Sequence, residues 1–205
     1  MSMIEIGRLL RAGTKGCVVG CKITQIDVPS LGGMVKIPID PKKGYQAYGL
    51  IHEINIDDDG LVRQLVTSDT VSPEVILDNR LNRNVPVEIS VLFIGHTDQG
   101  KISHLLPPRP PLTMDMIYTC TQEEICEFTN QKRFGYFRHL LQAKDLPLGE
   151  VLAAHLQQAA LAHQTCGDKS WPKKAAQELI TLLRDDYNTL MNVLSALADT
   201  NIEFK

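Results

Sequence analysis

The sequence predicts an α+β chain: a small N-terminal β-barrel domain over residues 1–111, followed by an α-helical bundle over residues 112–205. Two observations carry that division. Up to about Pro111, apolar residues recur with period two in short runs bounded by turn residues, as half-buried strands require. Beyond Pro111 the period lengthens to that of amphipathic helices. A third observation, the number of short strands, favours a closed barrel or sandwich. A small open sheet would leave its edges unpaired.

The strand half reads in order. "GCVVGCKITQI" and "AYGLIHEINI" are rich in β-branched residues and bounded by glycines. "VPVEISVLFIG" alternates Val87, Ile89, Val91 and Phe93 on one face, with Glu88 and Ser90 opposite. Turn signals separate these runs: Gly32-Gly33, "DPKKG", "DDDG" and "TDQGK". One interruption is helical. In "SPEVILDNRLNRN", Ser72 is placed to cap and Pro73 suits a first helical position, which would turn Val75, Ile76 and Leu81 toward the sheet.

In the second half, Thr121 and Glu124 form a capping box that opens a short helix, because each side chain satisfies a free backbone N–H of the first turn. "FGYFRHLLQ" is a further helical piece. From about Pro147, Leu148, Val151, Leu152, His155, Leu156 and Ala159 fall on one stripe. A last helix is predicted from near Pro172 to about Ala198. Its main face holds Ala176, Leu179, Ile180, Leu183, Tyr187, Leu190, Leu194 and Leu197, widened by Leu182 and Val193. An apolar face of that breadth needs more cover than one neighbouring helix supplies.

Composition narrows the function classes. Hydrophobic residues make up 43% and charged residues 22%, as in ordinary globular chains. Aromatics, at 5%, are thin for a base-stacking surface. The net charge is -3, and the barrel half is neutral, with twelve Lys and Arg against twelve Asp and Glu. Neither favours broad electrostatic capture of nucleic acid. "MSMIEIGRLL" lacks a basic flank before an apolar core, so no signal peptide is predicted, and no apolar run is long enough for a membrane span. Five scattered cysteines predict reduced, mostly buried thiols and a cytoplasmic protein.

The motifs that resemble known sites each fail on chemistry. In "GHTDQGKI", Gly95, Gly100 and Lys101 match a phosphate-binding loop, but Ile102 stands where a hydroxyl would hold magnesium. The prolines that follow exclude the required helix, so a plain hairpin turn is predicted. In "NIDDDGLV", Asn55, Asp57, Asp59 and Gly60 match half of a calcium loop, but Val66 replaces its closing glutamate. A solvated hairpin turn between strands is predicted there too. Cys17 and Cys21 share a strand face without a second ligand pair and read as buried apolar cysteines. His155, His163 and Cys166 share a helical face; two core histidines explain the pattern better than a zinc site. No nucleophile-and-base motif appears, and neither catalysis nor a cofactor is predicted. Arg8, Arg11 and Lys15 with Lys22, and Lys132, Arg133 and Arg138, are small basic groups that read as ordinary charged surface.

One stretch resists this inventory: "HLLPPRPPLTMDMIYTCTQEEICEF", residues 104–128. Taken with "AYGLIHEI", "SPEVILDNRL", "VPVEISVLFIG" and "TDQGK" before it, it resembles the N-terminal barrel of the HerA-type ATPases. That barrel is the HAS-barrel shared with ATP-synthase subunits, and the resemblance spans residues 4–128. In that family an "lPP-x-P" stretch closes the barrel and an extended residue pair followed by a short "eel" helix leads into the motor. "YTCTQEEICEF" is similar to that segment. The resemblance implies that the prolines close the barrel rigidly, since proline fixes φ and cannot continue a ladder. The motor's phosphate-binding loop has no counterpart here, so the resemblance does not extend to ATP hydrolysis.

What it implies is a non-catalytic assembly or adaptor module that binds a protein partner or copies of itself. The partner would be a HerA-like DNA translocase or a repair nuclease, with no role at a membrane. The predicted interaction surface comprises Arg8, Arg11 and Lys15 on the barrel and Leu182, Val193 and Leu197 on the last helix. The alternative is a small-barrel protein that binds single-stranded nucleic acid, which would need a basic groove near Arg8 and Arg11. A metal-dependent enzyme built on the helical histidines ranks third.

Overall fold

A computed structural model of the chain describes residues 4–21, 29–58, 60–68, 70–81 and 86–204. Lys22, Asp59 and the part of the run "GCVVGCKITQI" beyond Cys21 lie outside these. Seven antiparallel strands follow one another among the described residues: β1 Glu5–Ala12, β2 Gly16–Cys21, β3 Met34–Asp40, β4 Tyr45–Asn55, β5 Val87–Asp98, β6 Lys101–Ser103 and β7 Met116–Thr119. Their order is β2-β1-β7-β3-β4-β5-β6, and β2 also pairs with β5 along Gly16–Cys21. That pairing closes six strands into a barrel, with β6 as a hairpin extension of β5. The result is α+β with a closed barrel.

The alternation read in β5 is present. Val87, Ile89, Val91 and Phe93 point into the barrel interior, where they meet Leu9, Val19, Val35, Ile37, Ile51 and Ile117. Cys17 and Cys21 lie in the same core, and burial pushes the Cys17 thiol up to about 12. After Phe93 both faces of β5 are buried, because Ile94 points outward into a second core. Met34, Tyr48, Leu50 and Ile94 form the barrel's share of that core, and helices supply the rest.

The helices are α1 Leu61–Val66, α2 Pro73–Leu81, α3 Gln122–Thr129, α4 Phe137–Leu141, α5 Leu148–Thr165, α6 Trp171–Leu182 and α7 Tyr187–Ala198. The capping box of α3 forms as read: Thr121 Oγ1 accepts from Glu124 N, and Glu124 Oε2 accepts from Thr121 N at 2.9 Å. The predicted stripe of α5 is its buried face, with Val151, Leu152, His155, Leu156 and Ala159 buried and Leu148 partly so.

Four expectations are corrected. First, the chain beyond Pro111 is not helical throughout, for β7 pairs with β1 and with β3. The proline stretch therefore precedes a barrel strand. Pro107 and Pro111 are buried, and Met114 N and Asp115 O bond to Leu9. Second, "DDDG" is no hairpin turn: Asp58 accepts from Gly60 N and pairs with Arg63, opening α1. The strand expected after it is helical. Third, Val75 and Ile76 of α2 are exposed and do not face the sheet. Three consecutive apolar residues, Val75 to Leu77, spread around a helix and form no stripe. Fourth, the last helix is two. Asp186 caps α7, accepting from Thr189 N at 3.1 Å and from Thr189 Oγ1 at 2.7 Å, and the chain turns at Leu183–Asp186. The breadth of apolar face reckoned for one helix is thereby divided between two.

Candidate interaction surface

The joint between barrel and helices positions everything else. Lys36 on β3 pairs with Glu124, the capping residue of α3. Tyr48 packs on Phe128 at 4.8 Å between ring centroids. His104, just after β6, packs at a tilt on Phe128 with ring centroids 4.7 Å apart, and its Nε2 lies 3.1 Å from the Phe128 carbonyl. Its own carbonyl accepts from Arg138 Nη2 and from His139 Nε2 at 2.7 Å, fixing α4 against the barrel. Gly32 and Gly95 permit the close approach. A Cβ at Gly32, where φ is +72°, would lie 2.5 Å from His155 N. One at Gly95 would lie 2.8 Å from the Phe128 ring.

The helical histidines belong to this packing. His155 Nε2 lies 3.0 Å from Tyr136 Oη, and burial lowers its pKa to about 4. His163 Nε2 lies 2.7 Å from Thr129 Oγ1, whose own proton goes to the Ile125 carbonyl. The imidazole is therefore the donor in that pair. Its ring stacks on Trp171 at 4.4 Å, and burial lowers its pKa to about 4 as well. Cys166, the third member of the imagined ligand set, is instead joined to Cys126 in a disulfide. The expectation of uniformly reduced thiols is corrected for this pair. Its two sulfurs meet because α3 packs along α5, a proximity no local pattern encodes. Cys17, Cys21 and Cys120 are free and buried. In "TDQGK", Gln99 and Gly100 take positive φ in the tight turn between β5 and β6, and Lys101 enters β6, so this segment is the hairpin expected.

The six predicted surface residues fall in different settings. Arg8 donates from Nη1 to the Met114 carbonyl at 3.1 Å. Arg11 donates to Glu88 at 3.0 Å, with both side chains reaching solvent. Lys15 sits in the β1–β2 turn, where its carbonyl accepts from Phe93 N. Arg11 and Lys15 line one cleft of about 400 Å³ with His52 and Ser90. Leu182 is exposed on α6, as are Ile180 on the same helix and Tyr187 and Met191 on α7. Val193 and Leu197 are buried in the core that α7 shares with α5. Of the second basic group, Arg138 is committed to the His104 carbonyl.

Three residues that the sequence reading did not single out also border this region. His139, Gln142 and Lys144 line a second cleft of about 420 Å³, of which Lys15 is also a wall. No sequence signal pointed to them, because α4 meets the barrel only in the folded chain. No family model matches this chain, and no curated protein matches it by sequence.

Proposed function

We propose that the chain is a non-catalytic assembly or adaptor module. In this reading a HAS-barrel-like domain carries an α-helical bundle and binds a protein partner or further copies of itself. The observation that supports it is where large apolar side chains meet solvent. One group lies on the excursion between β4 and β5, where Ile56, Val66 and Leu77 are 61%, 77% and 57% exposed. The other flanks the α6–α7 turn, with Ile180, Leu182, Tyr187 and Met191. Single apolar residues are normal on a surface; several within one stretch of chain support a reading as an interface. The sequence resemblance supplies the partner class, a HerA-type translocase or its nuclease.

Sedimentation velocity of the purified chain, alone and mixed with each candidate partner, tests this reading. A faster-sedimenting species that disappears in Leu182→Asp or Leu77→Asp supports it. A single 22.8 kDa species in every mixture removes it.

A further inference from the structure

The two clefts beside Lys15 are adjacent, for Lys15 and Leu92 border both. Each is in the size range of ligand-binding clefts. The charged groups in their walls are basic, Arg11 and Lys15 in one and Lys15 and Lys144 in the other; burial holds Cys17 protonated and pushes His52 and His139 toward their neutral form. Glu88 pairs with Arg11, and Glu53 stands near His52. Among the described residues, Lys15 and Lys144 have no carboxylate partner. Arg138 adds positive charge behind His139, since its guanidinium is satisfied by a neutral carbonyl. A chain of net charge -3 thus leaves two lysines, among the described residues, without a carboxylate partner beside adjoining clefts.

The chemistry of that surface selects a ligand. The uncommitted cations are lysines, point charges that meet phosphate oxygens without demanding a bidentate geometry. The guanidiniums that would clamp a carboxylate are already engaged. Strand β2, in the wall of the first cleft, is paired on both sides, so an extended acidic peptide finds no ladder to join. Phe93, the one Phe, Tyr or Trp lining either cleft, is fully buried, which leaves no platform for stacking bases. We propose that the two clefts form one anion track that holds the phosphodiester backbone of a nucleic-acid strand, with Lys15 and Lys144 as its two phosphate contacts. Binding there is weak, independent of base sequence and sensitive to salt.

The test is fluorescence anisotropy of a labelled mixed-sequence single strand titrated with the full chain. Two phosphate contacts on a single strand give a slope of about -1.4 in log K against log salt, so affinity falls roughly sevenfold from about 50 mM to about 200 mM salt. Lys15→Gln and Lys144→Gln should each halve that slope, and the double variant should lose binding. Both side chains are exposed, so an unchanged melting temperature shows that the variants fold. Lys169→Gln, in a separate cleft near α6, should bind as the parent does. No binding at the lower salt, or binding unaltered in the double variant, overturns the proposal. So does capture of tripolyphosphate without the strand, which would assign the track to free phosphates. Equal binding of polyglutamate, lost in the same double variant, would assign it to an acidic protein and likewise overturn it.

Discussion

Acid should loosen this protein well above the pH at which its carboxylates protonate, because two imidazoles are buried in their neutral form. His155 and His163 are 1% and 2% exposed, and burial sets both pKa values at about 4. In the unfolded chain each takes up a proton near pH 6.5. Between those limits the unfolded state binds more protons than the folded one. Stability is therefore complete above about pH 6.5 and declines as pH falls toward 4. Each histidine costs about 1.4 kcal/mol per pH unit in that window, hence about 2 kcal/mol at pH 5 and about 4 kcal/mol for the pair. For a chain of this size that lowers the melting temperature by roughly 8–16 °C. His52 and His139, also pushed down by burial, act with the same sign.

The assay is thermal unfolding followed by circular dichroism at a series of pH values from about 7.5 to about 5. His155→Gln keeps a hydrogen-bonding group for Tyr136 but binds no proton. With His163→Gln added, more than half of the pH dependence should vanish. A melting temperature flat across the series, or an unchanged slope in the double variant, would refute the reasoning.

Two further outcomes follow from the packing. The Cys126–Cys166 disulfide closes a loop with a sequence separation of 40. On a chain-entropy basis it contributes about 4 kcal/mol, so reductant should lower the melting temperature of the parent and leave Cys166→Ser unaffected. Val193 is fully buried and Leu182 is 47% exposed on the neighbouring helix. Val193→Ser should therefore cost about 2–3 kcal/mol in denaturant unfolding, whereas Leu182→Ser should stay within about 0.5 kcal/mol. Equal costs would mean that α7 is not packed as described.

What the sequence disclosed was local chemistry. The capping box needs only Thr121 and Glu124 at their spacing, and the stripe of α5 needs only a period. The alternation of β5 needs only that one face be buried, and it fails at Ile94, where helices cover the other face. What stayed hidden was made by partners distant in the chain. Four residues, Met116–Thr119, are a strand because β1 and β3 flank them; Ile117, Tyr118 and Thr119 suit a strand, but so short a run after the prolines shows no period. The break between α6 and α7 had a readable signal in Asp186 and Thr189, a cap followed by its partner. An apparently continuous stripe from Leu179 to Leu197 concealed it. The meeting of Lys15 with His139 and Lys144 has no local signal, since α4 reaches the barrel through the His104 carbonyl.

The central claim is that this chain assembles with protein, and light scattering coupled to size-exclusion chromatography tests it most directly. The chain is run alone and with a HerA-type translocase. The account predicts a mass above 22.8 kDa in at least one run, as a multiple of the chain or as a mixed complex. A chain that elutes at 22.8 kDa in both contradicts it.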